Sequence, residues 1–214
     1  MARFSNAIAR QVVDALMRYR WSRTIVGVLV LLAVAGGGLG VVLQAASSDT
    51  QALPAGIAYT LTGKVVNVAD GDTFTLLADG RQQRVRLASI DAPEQSKDAK
   101  RRGQPMASAS RKALAVLLAG KTVTAQCYEK DRYSRHICNV PLEDGRIVNR
   151  VMVQDGLAWA NMEGRGKFMR DPALHALERD ARQARKGLWA VGNPVAPWAW
   201  RYQCWTQHQC QGAG

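Results

Sequence analysis

The residues best suited to chemistry are a group of carboxylates and one arginine within a short stretch of the chain. Asp70-Gly71-Asp72-Thr73 is followed by Arg86 and then by Asp91-Ala92-Pro93-Glu94. Carboxylates this close together repel one another unless a cation lies among them. An arginine beside them indicates that a phosphate accompanies the cation. The pattern therefore predicts a metal-assisted site that cleaves phosphodiester bonds.

The elements that must position these residues are strands. Strand patterns run over 59–68, 73–77 and 83–88, and Asp79-Gly80 predicts the hairpin turn between the second and third of them. Asp70 and Asp72 then lie between the first two strands, and Arg86 lies near the end of the third. We therefore expect the site at one end of a small sheet.

The rest of the chain alternates further strands with helices. The sequence predicts a helix over 104–118, strands over 122–128 and 137–142, and helices over 147–154 and 172–185. Five short strands with a helix before the fourth predict an α+β fold, a five-stranded OB-fold Greek-key barrel with about three helices. A parallel α/β sheet is disfavoured, because the first three strands are joined by turns too short for crossovers.

The N-terminal part of the sequence indicates a membrane segment. Residues 24–46 carry no charge, and about 20 apolar residues are enough to cross a bilayer as a helix. Residues 1–23 are basic, so this end should stay cytoplasmic while everything beyond the linker at 47–56 is exported. We expect a single-pass anchor in the inner (cytoplasmic) membrane, with the remainder on the periplasmic or extracellular side. Secretion after cleavage of a signal peptide is the alternative, and a mitochondrial presequence is a lesser one.

The four cysteines all follow the apolar segment. An even number in an exported domain favours disulfides, and local closure favours Cys127 with Cys138 and Cys204 with Cys210. Free thiols, or a zinc site completed by His136 and His208, are the alternatives. The cysteine spacing is not that of a zinc knuckle, which argues against zinc.

The charge of the exported part favours a polyanionic partner. Residues 57–214 contain 24 Lys and Arg against 15 Asp and Glu. Such an excess on a small domain is typical of proteins that bind nucleic acid or an anionic lipid surface.

An ordered set of motifs resembles the staphylococcal (thermonuclease) nuclease family. The resemblance covers about 59–189, and it implies a thermonuclease-like OB-fold domain at 57–192 followed by a C-terminal extension at 193–214. The matching pieces, in order, are Asp70-Gly71-Asp72-Thr73, Arg86-Leu87, Asp91-Ala92-Pro93-Glu94, Asp131-Arg132-Tyr133-Ser134-Arg135, Val148-Asn149, Gly156-Leu157-Ala158, Ala184 and Gly187-Leu188-Trp189.

The resemblance implies a Ca²⁺ site. Asp72 and Asp91 are hard oxygen donors suited to Ca²⁺, and the family's third protein ligand is a main-chain carbonyl, here that of Ala92. The family often has threonine at this position, but a main-chain ligand does not require it. Asp70 is expected to support the site indirectly rather than to ligate the ion.

The resemblance also implies roles in catalysis and in substrate binding. Glu94 corresponds to the general base, and Arg86 and Arg135 to the guanidinium groups that hold the phosphate in the transition state. A family tyrosine near the nucleotide phosphate corresponds to Tyr133. Basic residues of the loop after Glu94 should contact the nucleic-acid backbone, namely Lys97, Arg101 and Arg102.

One part of the family pattern is not reproduced. The archetype has a pair of tyrosines after the Gly-Leu-Ala element, and this chain has 159–164 there, a stretch that contains Trp159 and Met162. We expect these two side chains to pack in the core rather than against a base.

The sequence thus predicts a Ca²⁺-dependent, sequence-nonspecific nuclease that hydrolyses DNA and RNA. We expect it to prefer single strands, to need no organic cofactor and to be monomeric in its soluble domain. The main alternative is a catalytically inactive OB-fold module that only binds nucleic acid. A scaffold that binds anionic lipid would explain the charge, but it gives the carboxylates no role.

Overall fold

A closed barrel of five strands forms the centre of the fold. The computed structural model describes residues 56–190 and 192–210. The barrel order is β1-β2-β3-β6-β5, and β4 and β7 form a separate two-stranded sheet. The strands are β1 Tyr59–Val68, β2 Thr73–Ala78, β3 Arg81–Leu87, β4 Ile90–Asp91, β5 Thr122–Lys130, β6 His136–Asn139 and β7 Trp159–Ala160.

Among the described residues, three helices of seven or more residues accompany the barrel, together with four shorter helical segments. The three are α1 Ala107–Leu118, α2 Val148–Gln154 and α3 Ala173–Gln183; the short ones are Glu163–Gly166, Gly187–Ala190, Pro197–Trp200 and Arg201–Thr206. A five-stranded barrel with helices fits the predicted α+β OB-fold, so the fold-class prediction is confirmed for the described residues.

The barrel closes because its strands bury one apolar face. Phe74 and Leu76 of β2 and Val85 and Leu87 of β3 are all at most 1% exposed. The predicted turn at Asp79-Gly80 joins these two strands, and both of its residues have positive φ, as a tight hairpin turn requires. The alternation of inward-facing and outward-facing side chains along β2 and β3 therefore fixes which of them face the core.

Two observed boundaries differ from the predicted ones by three residues, each for a local reason. The first long helix begins at Ala107 rather than at 104, because Met106 has a φ of 66° and the residues before it form a turn. Strand β6 ends at Asn139 rather than at 142. Beyond that point the Val140 amide donates to the Asn149 side chain, and Pro141 forms only an isolated bridge.

Both predicted disulfides are present. Cys127 and Cys138 are bonded and lie opposite each other on β5 and β6, and Cys204 is bonded to Cys210. The zinc alternative is wrong, since all four thiols are used in disulfides. His136 instead hydrogen-bonds to Tyr59 at 3.0 Å and to Gln83 at 3.0 Å.

The predicted membrane segment at 24–46 lies outside the described residues, as do the basic segment 1–23 and all but the last residue of the linker. Within 56–190 and 192–210, no helix has both the length and the apolar character needed to cross a bilayer.

Candidate active site

The turn between β1 and β2 presents the first two carboxylates. The Asp70 carboxylate accepts a hydrogen bond from the Asp72 amide at 3.0 Å, which closes the turn on itself. Gly71 is needed there, because a Cβ at this position would lie 1.8 Å from the Ser110 hydroxyl oxygen of α1. Close packing of the turn against α1 thus sets the direction of Asp72.

Asp72 is a buried carboxylate with three donors around it. Its side chain accepts from the Thr73 hydroxyl at 2.8 Å, from Arg86 Nη1 at 2.9 Å and from the Ala92 amide at 2.8 Å. The residue is only 2% exposed. Burial raises the pKa of Asp72 to about 7, and the positive charge of Arg86 acts in the opposite direction.

The small β4–β7 sheet, which the sequence did not predict, fixes the second carboxylate. Asp91 is paired with Trp159 across this sheet and is 1% exposed. Its Oδ1 accepts from Arg86 Nη2 at 2.6 Å. Arg86, projecting from the end of β3, therefore bridges Asp72 and Asp91.

The two ion pairs of this bridge stabilise the protonated form of Arg86. Burial acts to lower the pKa of Arg86, but the negative charges of Asp72 and Asp91 outweigh it and raise that pKa. One guanidinium, 17% exposed, lies between two buried carboxylates, so the cluster would carry an excess negative charge without a further cation.

Glu94 lies close to this pair on the loop that leaves β4. Its amide donates to the Gln104 side chain at 2.9 Å, and its own side chain is 15% exposed. Burial raises the pKa of Glu94, and its ion pair with Arg201 acts in the opposite direction. This carboxylate is therefore less acidic than an exposed glutamate.

Arg135 and Tyr133 face the same cleft from the loop between β5 and β6. Asp131 holds Arg135 through Nε at 2.8 Å and Nη2 at 2.6 Å. The guanidinium lies 5.3 Å from the centre of the Tyr133 ring, and Tyr133 is 57% exposed. The structure thus brings both residues to the carboxylates, although they lie 39 or more positions away in sequence.

The cleft has a volume of about 1110 Å³ and collects most of the predicted residues. Lys97 and Arg101 line it, whereas Arg102 lines a neighbouring depression. The predicted residues that line the cleft are Asp70, Asp72, Arg86, Ala92, Glu94, Lys97, Arg101, Tyr133 and Arg135.

The two residues that were expected to pack in the core differ in their burial. Trp159 is buried and packs edge-on against Trp189, whereas Met162 is 42% exposed. The predicted core position therefore holds for Trp159 but not for Met162.

Arg201 is a cleft residue that sequence reasoning missed. Its Nη1 is 2.7 Å from Glu94 Oε1, and its Nη2 is 2.9 Å from Asp91 Oδ2. The residue before it, Trp200, is buried. Nothing in the local sequence indicates that the next residue reaches the carboxylates.

Asp72 and Asp91 are the residues that could hold a metal ion. In the part of the chain that the structure describes, no group of three or more His, Cys, Asp or Glu side chains forms a metal site. Two buried carboxylates would need main-chain oxygens or water to complete a coordination shell, and Ca²⁺ accepts such ligands. The donor set therefore suits Ca²⁺ better than a metal that requires nitrogen or sulfur ligands.

Comparison with known proteins identifies the family. A family model described as Staphylococcal nuclease homologue matches residues 84–191, about half of the chain. The chain belongs to the staphylococcal nuclease family. Arg86, Asp91, Glu94 and Arg135 lie within the match, and the Asp72 turn precedes it. As a member of this family, the chain is a hydrolytic nuclease.

Relatives with similar names occur in bacteria and plants. An "Uncharacterized endonuclease" of Escherichia coli O157:H7 is 40% identical over 141 residues, which cover 66% of this chain and 85% of that protein. A "Micrococcal nuclease" of Shigella flexneri is 40% identical over 147 residues, covering 65% and 79%. A "Probable staphylococcal-like nuclease CAN2" of Oryza sativa subsp. japonica is 32% identical over 138 residues, covering 64% of this chain and 33% of that one.

Proposed function

We propose that this family nuclease is Ca²⁺-dependent and hydrolyses DNA and RNA phosphodiester bonds without sequence preference. One arrangement carries the proposal: the buried Asp72, Glu94 and two arginines line one open cleft in a strongly basic domain, and Arg86 bridges Asp72 to the buried Asp91. A module that only binds nucleic acid has no need to bury two aspartates beside each other.

Asp72, Asp91 and the Ala92 carbonyl would hold the metal ion in this proposal. When bound, Ca²⁺ would offset negative charge on the reacting phosphate and align the phosphate for attack. Asp70 has a supporting part, because it fixes the Asp72 backbone through the 3.0 Å hydrogen bond.

Glu94 would act as the general base. Its carboxylate lines the cleft and can accept a proton from the water that attacks phosphorus. The elevated pKa makes it a stronger base than an exposed glutamate, which favours proton transfer near neutral pH.

Arg86 and Arg135 would bind the phosphate oxygens as negative charge grows in the transition state. The Asp131 carboxylate contacts Nε and Nη2 of Arg135 and so holds the guanidinium at the cleft wall. We expect its Nη1 to donate to a phosphate oxygen, since a guanidinium has five N–H donors in a fixed plane.

The walls of the cleft supply contacts that do not depend on base identity. Lys97 and Arg101 provide positive charge for the backbone, and the exposed Tyr133 provides a contact for the nucleotide. A flexible single strand should enter more readily than a duplex, whose backbone is rigid.

The substrate range can be tested with the full-length chain in mild detergent and Ca²⁺. End-labelled single-stranded DNA, single-stranded RNA and a DNA duplex of one sequence serve as substrates. We expect cleavage at many positions in both single strands, slower cleavage of the duplex, and weaker activity as salt rises from about 50 to about 200 mM. Cleavage confined to one sequence or to one of the two nucleic acids would contradict the proposed range.

We also propose that the segment at 24–46 anchors the enzyme to the inner membrane, with the nuclease domain on the periplasmic or extracellular side. The apolar sequence and the two disulfides support this placement. Cell fractionation combined with a protease-protection assay tests this placement. A nuclease domain found on the cytoplasmic side of the membrane would contradict it.

A further inference from the structure

A C-terminal segment, 197–210, is docked on the loop that follows Glu94. The indole N–H groups of Trp200 and Trp205 both donate to the Arg102 carbonyl, at 3.0 and 2.9 Å. The Lys97 ammonium lies 4.5 Å from the centre of the Trp205 ring. The segment is thus held against a loop that carries residues predicted to bind substrate.

Further contacts hold this part of the chain in place. The Val195 carbonyl, just before the segment, accepts from the Gln104 side chain at 2.8 Å, and Gln104 also accepts from the Glu94 amide. Within the segment, Cys204 is fully buried and is bonded to Cys210. The position of Arg201 therefore follows from a docked segment rather than from a loose tail.

Docking places the Arg201 guanidinium among three carboxylates. It contacts Glu94 at 2.7 Å, Asp91 at 2.9 Å and Glu163 at 3.4 Å. Asp91 then has a guanidinium on each oxygen, with Arg86 on Oδ1 and Arg201 on Oδ2. In this arrangement both oxygens of the buried Asp91 accept from a guanidinium.

Charge balance explains why a second guanidinium is stable here. Asp72, Asp91 and Glu94 can carry three negative charges. Arg86 supplies one positive charge at Asp72 and Asp91, and the half-exposed Lys97 reaches only Glu94, at 3.9 Å. Buried charges are stable only when paired, so the cluster attracts a further cation. Arg201 supplies that cation in the chain as it stands, at the carboxylates that a divalent ion would also use.

We propose that Arg201 is an internal counter-cation that competes with the divalent ion for Asp91 and holds Glu94 in an ion pair. Arg201 thereby sets the Ca²⁺ concentration at which the site fills. The proposal rests on the proposed function for the identity of the ion. Ca²⁺ binding then requires Arg201 to withdraw from Asp91, and this withdrawal releases Glu94 as well.

The test measures Ca²⁺ affinity directly, by isothermal titration calorimetry of the full-length chain without nucleic acid. The variants are Arg201→Gln, which removes the charge, and Arg201→Lys, which keeps it but loses the planar fork that bridges two carboxylates. The matched control is Arg146→Gln, because Arg146 forms an exposed ion pair with Asp144 in the loop before α2.

We expect the Kd for Ca²⁺ to fall at least about fivefold in Arg201→Gln, which is the lower end of typical coupling between two binding events. Arg201→Lys should give a smaller decrease, and Arg146→Gln should match the unmodified chain. A larger rise in unfolding temperature on adding Ca²⁺ should accompany the tighter binding in Arg201→Gln.

Equal Kd values for the unmodified chain and Arg201→Gln would overturn the competition. Weaker Ca²⁺ binding in Arg201→Gln would also overturn it, and so would a loss of cleavage with unchanged Ca²⁺ affinity, which would make Arg201 a phosphate-binding residue. A chain that binds Ca²⁺ with the expected ranking but cleaves nothing would overturn the proposed nuclease function and leave the competition standing. Absence of Ca²⁺ binding in every chain would overturn both.

Discussion

Replacing Glu94 with glutamine is expected to slow cleavage of single-stranded DNA by about 10²- to 10⁴-fold, the usual contribution of a general base. Glutamine has nearly the same shape but cannot accept the proton from the attacking water. The metal ligands Asp72 and Asp91 stay in place, so Ca²⁺ binding should persist. Single-turnover cleavage at saturating Ca²⁺ measures the effect, with calorimetry as the check on binding.

Glu163→Gln is the matched control for this prediction. Glu163 lines the same cleft and also contacts Arg201, at 3.4 Å, so its substitution removes one charge from nearly the same place. We assign Glu163 no proton-transfer role and expect far less loss of rate. Equal losses in the two variants would show that the charge of the cleft matters rather than a base at Glu94.

Replacing Arg86 with glutamine is expected to abolish cleavage and to lower the free energy of unfolding, measured without Ca²⁺, by about 3–5 kcal/mol. Arg86 bridges Asp72 and Asp91, two aspartates that are at most 2% exposed, and the Arg86 side chain itself is 17% exposed. Removing the guanidinium leaves like charges facing each other in a poorly solvated place. Urea unfolding with and without Ca²⁺ measures the change.

Calcium should restore part of the stability of Arg86→Gln, because it brings positive charge back to the same carboxylates. Arg81→Gln is the control, since Arg81 is an exposed residue at the other end of β3. The idea that Arg86 neutralises the buried pair would be wrong if Arg86→Gln and Arg81→Gln unfolded at the same urea concentration.

Much of the barrel could be predicted because the residues that determine its strands and turns lie close together in the sequence. Alternation in β2 and β3, with the Asp79-Gly80 turn between them, fixes pairing and face without reference to the rest of the chain. The same hairpin sets Arg86 fourteen residues after Asp72 and directs both to one end of the barrel. The positions of Asp72 and Arg86 in the cleft therefore follow from the sequence pattern.

Other features depend on contacts between distant parts of the chain. The β4–β7 sheet pairs Asp91 with Trp159, and each of its strands has only two residues, too few for any periodicity. Arg201 reaches Asp91 from 110 positions away, through the docking of two tryptophans. Such contacts arise from tertiary packing, so no local rule identifies Arg201 among the chain's 29 basic residues.

The most direct measurement follows binding and cleavage of one labelled single-stranded DNA by the full-length chain, in Ca²⁺ and in EDTA. Cleavage in Ca²⁺, its loss in EDTA and its return when Ca²⁺ is added back are expected if the carboxylates around Asp72 and Asp91 hold the catalytic ion. A folded chain that binds the strand in Ca²⁺ but leaves it intact would contradict the proposed catalysis, and the barrel would then be a nucleic-acid-binding module.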